Sequence, residues 1–224
     1  VLSNTKPGSS PNPLSQFILG GRTQVEAALE ANPTFATVWI GNNDVLAPAL
    51  NGTANATPLG TFASNYTQLL DELTSSPQFQ GGVLLGVSNV TFLPFFSPGP
   101  AYAGLKQAGQ FPPNFEVADN CDTQDPSTGL TPLVPLDYGF GLIGRAMQTP
   151  NQTVTLDCQG PDEVLTLAEV ASLSRLVQQY NQFIQQQAQQ RDLAYLNPNP
   201  IFSSLYRNND GDANPTNDLI PKFP

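Results

Sequence analysis

The chain reads as an α/β protein, a three-layer α/β/α sandwich around a mostly parallel sheet with incomplete edges. Helical and strand patterns alternate along it, in the order helix, strand, helix, strand, and later helix, strand. Its strand candidates, Thr37-Val38-Trp39-Ile40 and Val83-Leu84-Leu85-Gly86-Val87, are near-continuous apolar runs, as strands buried on both faces are. The first run stops at Gly41-Asn42-Asn43-Asp44, small polar residues of the kind that open α/β sheets deliver to their carboxyl edge.

Residues 1–21 mix Pro7, Gly8, Pro11 and Pro13 with a short apolar patch and are expected as loop. Residues 23–31 show helical spacing at Val25, Ala28 and Leu29, with Thr23 as N-cap and Glu26 completing a capping box. Asn32-Pro33 ends that helix, and residues 35–40 follow as a buried strand in which the single tryptophan, Trp39, is expected to pack in the core. After a polar stretch, Phe62, Tyr66, Leu69, Leu70 and Leu73 fall at helical intervals and Pro77 marks the stop. Gly81-Gly82 introduces the second strand, read as central.

From Asn89 to Cys158 periodicity is lost, and eight prolines from Pro94 to Pro135 punctuate what reads as a long irregular insertion, about 89–160, within a single domain of 1–224. Phe92, Phe95, Phe96, Tyr102, Phe111 and Phe115 either line a pocket there or anchor the loop on the core. Residues 165–191 are the clearest helix: Thr166 and Glu169 suit a capping box, Val170, Leu173, Leu176, Val177, Tyr180, Phe183 and Ile184 form one stripe, and a run of glutamines covers the other face. Leu193-Ala194-Tyr195-Leu196 makes the third strand, ended by Asn197-Pro198-Asn199-Pro200.

With 224 residues, 39% hydrophobic, the chain is long enough for one sizeable core. Charged residues make up only 12%, and the low charge with many amides and hydroxyls fits an exported protein, secreted, periplasmic or at the cell surface. A net charge of −10, scattered along the chain, argues against nucleic acid, whose phosphates need clustered Lys and Arg. No run reaches the roughly 18 apolar residues of a membrane span. Val1 is neither an initiator methionine nor the start of a signal pattern, so the chain is expected to begin within a longer sequence. The two cysteines, Cys121 and Cys158, flank a Pro-, Gly- and Thr-rich excursion; they are expected as a disulfide, the alternative being two unrelated buried thiols.

Gly41 permits a sharp turn, and an asparagine beside it offers two donors and an acceptor suited to a developing oxyanion; the plain alternative is a strand end with an Asx turn. The chain has no histidine, so no Ser-His-Asp triad forms from it alone. A serine–lysine pair is limited to Lys6, Lys106 and Lys222, all in surroundings that read as exposed. Ser88, in Gly86-Val87-Ser88-Asn89-Val90, is only a near miss to the nucleophile elbow and is not a candidate. Asn208, Asp210, Asp212 and Asn214 alternate with small residues, a spacing that suits Ca²⁺; because the terminal glutamate of an EF-hand is missing, a plain polar turn is the first reading and Ca²⁺ the second. Asn-x-Thr sequons stand at Asn51, Asn55, Asn65, Asn89 and Asn151.

Gly41-Asn42-Asn43-Asp44 at the end of an apolar strand resembles the Gly-x-Asn-Asp block of the SGNH (GDSL-type) hydrolases. Val83 to Val87 with Ser88-Asn89-Val90, then Leu165-Thr166-Leu167-Ala168-Glu169-Val170 with Tyr180-Asn181, then Leu193 to Pro198 resemble, in that order, the middle of bacterial secreted SGNH esterases and lipases. The resemblance implies an SGNH/flavodoxin-like fold and ester hydrolysis by acyl transfer on a small-molecule or lipid ester, with no required cofactor. It implies the oxyanion role for Asn43, loop shaping for Gly41 and loop support for Asp44. The Gly-Asp-Ser block with the nucleophile, the second-block glycine and the Asp-x-x-His block have no match in this chain. Two further readings stand beside it: a non-catalytic extracellular structural or binding module on the same scaffold, and a calcium-dependent carbohydrate-binding protein.

Overall fold

A computed structural model describes residues 17–159 and 163–207. The Asn208, Asp210, Asp212 and Asn214 loop, Lys6, Lys222 and most of the N-terminal loop lie outside these described residues. The protein is α/β, as its pattern of elements predicts, with mostly parallel strand pairs. It divides into two compact units. One comprises residues up to Asp44, Thr57–Ser88 and Leu176–Pro200; the other comprises Val45–Ala56, Asn89–Arg175 and the residues from Ile201.

The first unit is built on a three-stranded parallel sheet of β1 (Phe35–Val38), β2 (Gly81–Leu85) and β7 (Ala194–Leu196), with β2 in the centre. Phe35 pairs with Gly81 and Val38 with Leu84, while Val83 pairs with Ala194 and Leu85 with Leu196. Helix α1 (Gln24–Glu30) starts at Thr23 with the expected reciprocal capping box to Glu26. Helix α3 (Leu59–Thr74) buries Phe62, Tyr66, Leu69, Leu70 and Leu73, the stripe its spacing foretold, each side chain contributing about 2 kcal/mol. The second half of α6 (Leu167–Gln190) supplies Val177, Tyr180, Ile184 and Ala188 to the same core. The Phe62 and Tyr180 rings stack with centroids 3.9 Å apart, and Phe183 meets both Phe62 and Tyr66 edge-on.

The expectation of a buried first strand over 35–40 is corrected. β1 stops at Val38 and is an edge strand, with Phe35 62% exposed. Trp39 lies beyond the strand, 49% exposed, and its indole N–H donates to the Gly86 carbonyl at 3.2 Å instead of packing in the core. The physical reason is pairing: β1 is bonded on one side only, so its apolar residues lack a second neighbour among the described residues.

The second unit contains β3 (Phe96–Pro98) antiparallel to β5 (Leu133–Pro135), and β4 (Phe115–Val117) parallel to β6 (Val154–Leu156). Helices α4 (Gly99–Gln107) and α5 (Leu136–Gln148) follow β3 and β5 directly. Much of 89–158 is therefore regular structure where the sequence reads as irregular, while residues 122–132 carry no helix or strand. The prolines explain both facts, because Pro98 and Pro135 end strands and sit at the N-cap of the next helix, where a missing N–H costs nothing. Tyr102, Phe115, Val134, Leu142, Leu156 and both cysteines form the core of this unit. Of the aromatics with two open readings, Phe96, Tyr102 and Phe115 anchor the core, whereas Phe95 stays exposed.

Cys121 and Cys158 form a disulfide, with Cα atoms 5.0 Å apart. Asn120 reinforces it by accepting the Cys158 N–H and donating to the Asp157 carboxylate, at 2.9 and 2.8 Å. Among the described residues no helix is long and apolar enough to cross a membrane.

Candidate functional site

The carboxyl ends of β1 and β2 converge on Gly41 to Asp44 and Gly86 to Ser88. Gly41 turns the chain with φ +112°, a conformation L side chains rarely adopt, and an added Cβ would lie 2.7 Å from Val87 and 2.8 Å from Phe62. The turn leads into α2 (Asn42–Leu50), a helix where the sequence reads as polar loop. Pro48 inside it cannot donate to the Asp44 carbonyl, and that carbonyl accepts the Thr57 N–H at 3.2 Å instead.

Asparagine amides hold the end of β2. Asn42 Oδ1 accepts the Ser88 N–H at 2.8 Å, joining the ends of the two strands. Asn181, buried, grips Val87 at two points: Oδ1 accepts its N–H at 2.6 Å and Nδ2 donates to its carbonyl at 2.9 Å. Asn199 Nδ2 donates to the same carbonyl at 2.9 Å. The absence of a side chain at Gly86 makes room, since a Cβ there would come within 2.7 Å of Asn181 Oδ1.

Of the three residues assigned roles by resemblance, each has a distinct environment. Gly41 makes the turn. Asn43 is exposed in the first turn of α2, and no hydrogen bond ties its side chain to another described residue. Asp44 is only 8% exposed; its N–H donates to the Gly41 carbonyl at 3.1 Å, and its Oδ2 is buried with no hydrogen-bond partner among the described residues. Close by, the Tyr180 hydroxyl donates to the Thr57 carbonyl. Burial, and then the Asp44 carboxylate, push the Tyr180 phenol well above the ordinary tyrosine range. Burial likewise raises Tyr66, whose hydroxyl has no hydrogen-bond partner among the described residues.

Asn42, Asn181 and Asn199 stand in motifs that the sequence offers, but sequence reasoning assigns none of them a role. Asn181 carried a signal, being an amide within the apolar stripe between Val177 and Ile184. Ser88 has its amide N–H committed to Asn42, and no imidazole exists in the chain to activate its hydroxyl. Lys106, the one lysine among the described residues, donates to the carbonyls of Pro113 and Phe115 and pairs with Glu116 at 3.2 Å, so its side chain is committed to these contacts. Among the described residues no group of three or more His, Cys, Asp or Glu side chains is placed to hold a metal ion. The chemical capacity of the site is thus donation: an exposed carboxamide at the positive end of a helix, on a strand end fixed by other amides. No family model, no curated protein and no solved structure matches the chain.

Proposed function

We propose that this chain is the central part of a serine esterase or lipase of the SGNH type, acting on carboxylic esters by acyl transfer. The observation that carries the reading is Asn43, an uncommitted amide in the first turn of a helix, presented by a glycine turn at the carboxyl edge of a parallel sheet. In this reading Asn43 donates to the tetrahedral oxyanion, and the nucleophilic serine and basic histidine come from sequence beyond the chain. The scaffold assigned to exported enzymes of this kind agrees with the disulfide.

The test is hydrolysis of p-nitrophenyl esters by the product of the complete reading frame. Asn43→Ala is expected to lower kcat by about 100-fold or more with little change in KM, the signature of a donor used in the transition state. The reading is overturned if Asn43→Ala retains full kcat or if the complete product neither hydrolyses esters nor reacts with a fluorophosphonate. The absence of histidine from all 224 residues favours a second reading, a non-catalytic extracellular binding module on the same scaffold, and the second of those outcomes would support it.

A further inference from the structure

We infer that the second unit carries a groove for an organic cation with an apolar body, of the alkylammonium class, along one side of α5. A cavity of about 310 Å³ lies there, lined by Asp137, Tyr138, Leu142 and Arg145 of the helix together with Phe95 and Glu163. The α5 residues recur at intervals of one and two turns, so they form one stripe. At about 30 Å³ per water-sized group the space takes a ligand of roughly ten heavy atoms.

Charge selects a cation. Among the described lining residues two carboxylates, Asp137 and Glu163, stand against one guanidinium, and no ion pair joins Arg145 to either. The field at the Tyr138 ring has the same sign: its phenol is held above its usual value by burial first and then by Glu163, with Arg145 opposing less strongly. Asp137 Oδ1 accepts the Tyr138 N–H at 2.9 Å without losing its charge, and the exposed Glu163 is the second carboxylate of the lining. The net charge of −10 over the chain further disfavours an anion. Phe95 and Tyr138 bring aromatic rings to the lining and Leu142 an apolar side chain; rings beside carboxylates are the chemistry that holds ammonium groups.

Calorimetric titration of the full chain with benzyltrimethylammonium, benzyl alcohol and phenylacetate tests this, since the three share a phenyl body and differ in charge. The ammonium is expected to bind about tenfold tighter than the alcohol, with phenylacetate weakest. Glu163→Gln should weaken ammonium binding about three- to tenfold, and Arg145→Gln should tighten it. Tyr138→Leu removes the ring while keeping bulk and should weaken binding by a similar factor; if its thermal melt shows misfolding, the two surface charge variants decide. Equal or tighter binding of phenylacetate or the alcohol, no saturable ammonium binding, or dissociation constants indifferent to both charge variants would each overturn the inference. Ester hydrolysis plays no part in these titrations.

Discussion

Replacing Asn181 by alanine removes the two-point grip on Val87. Val87 is fully buried, so its N–H loses its partner with no solvent to replace it. Its carbonyl keeps the donor from Asn199. An orphaned buried donor costs about 1–3 kcal/mol, and the lost contacts of the amide bring the total to about 2–4 kcal/mol. Asn181→Asp tests the same geometry without changing size: the carboxylate accepts the Val87 N–H but sets an oxygen against the carbonyl that Nδ2 now meets at 2.9 Å, in a buried position. That variant is expected to cost at least as much, about 3–5 kcal/mol. The assay is urea unfolding followed by the fluorescence of Trp39, the single tryptophan, whose indole is bonded to Gly86 one residue from the grip. A shift of midpoint at constant slope gives the free-energy change. A loss below about 1 kcal/mol for Asn181→Ala, with Asn181→Asp indistinguishable from the parent, would refute the reasoning.

Reducing the Cys121–Cys158 bond frees a loop with a sequence separation of 37 and should lower the stability of the second unit by about 3–4 kcal/mol; denaturant melts with and without reductant measure it. Gly41→Ala meets both a strained φ and two close neighbours, so a loss of about 2 kcal/mol or more is expected in thermal melts, with a change in Trp39 emission. Tyr66, Tyr102 and Tyr180 are all raised in the folded state, Tyr102 to about 12 through burial, against about 10 in an unfolded chain. The unfolded state therefore gives up these protons first, so their stabilising contribution is complete below about pH 10 and is lost as pH climbs toward the folded values. Phenolate absorbance and circular dichroism titrated together should show ionisation of these rings coinciding with alkaline unfolding, whereas ionisation well before unfolding would contradict the burial argument.

Periodicity made the long elements legible. The stripes of α3 and α6 and the capping boxes at Thr23 and Thr166 are local patterns whose physical causes lie within a few residues, and the structure has all of them. Thr166, for example, receives the Glu169 N–H while its own N–H goes to the Glu169 carboxylate. The apolar run of β2 announced a central strand for the same reason. What was illegible depends on neighbours distant in sequence. Phe35 and Trp39 look like core residues until the pairing of β1 is known to be one-sided. Asn42-Asn43-Asp44 with Pro48 reads as a loop because its residues disfavour helix interiors, yet Thr57 supplies the donor that Pro48 lacks. The four short strands between Phe96 and Leu156 are three residues each, too short to show any alternation.

The strand-end asparagines share one physical problem, and it bears on the site. A strand that continues past its ladder leaves peptide groups that neither neighbouring strand can pair, and at Val87 those groups are buried. A carboxamide is the side chain that both donates and accepts at neutral charge, so Asn181 can close both halves of one peptide residue, and Asn42 can carry the bond from one strand end to the next. Asn42, Asn181 and Asn199 are thereby committed to backbone, while Asn43, one residue from Asn42, is exposed with its amide unspent. Stability alone gives no reason for an amide there: Asn43→Ala should leave the unfolding free energy within about 0.5 kcal/mol of the parent, the usual bound for a surface change. A near-zero stability effect combined with a large fall in kcat in the complete protein would separate a residue kept for chemistry from its neighbours kept for structure. A stability loss comparable to that of Asn181→Ala would instead place Asn43 among the clamps.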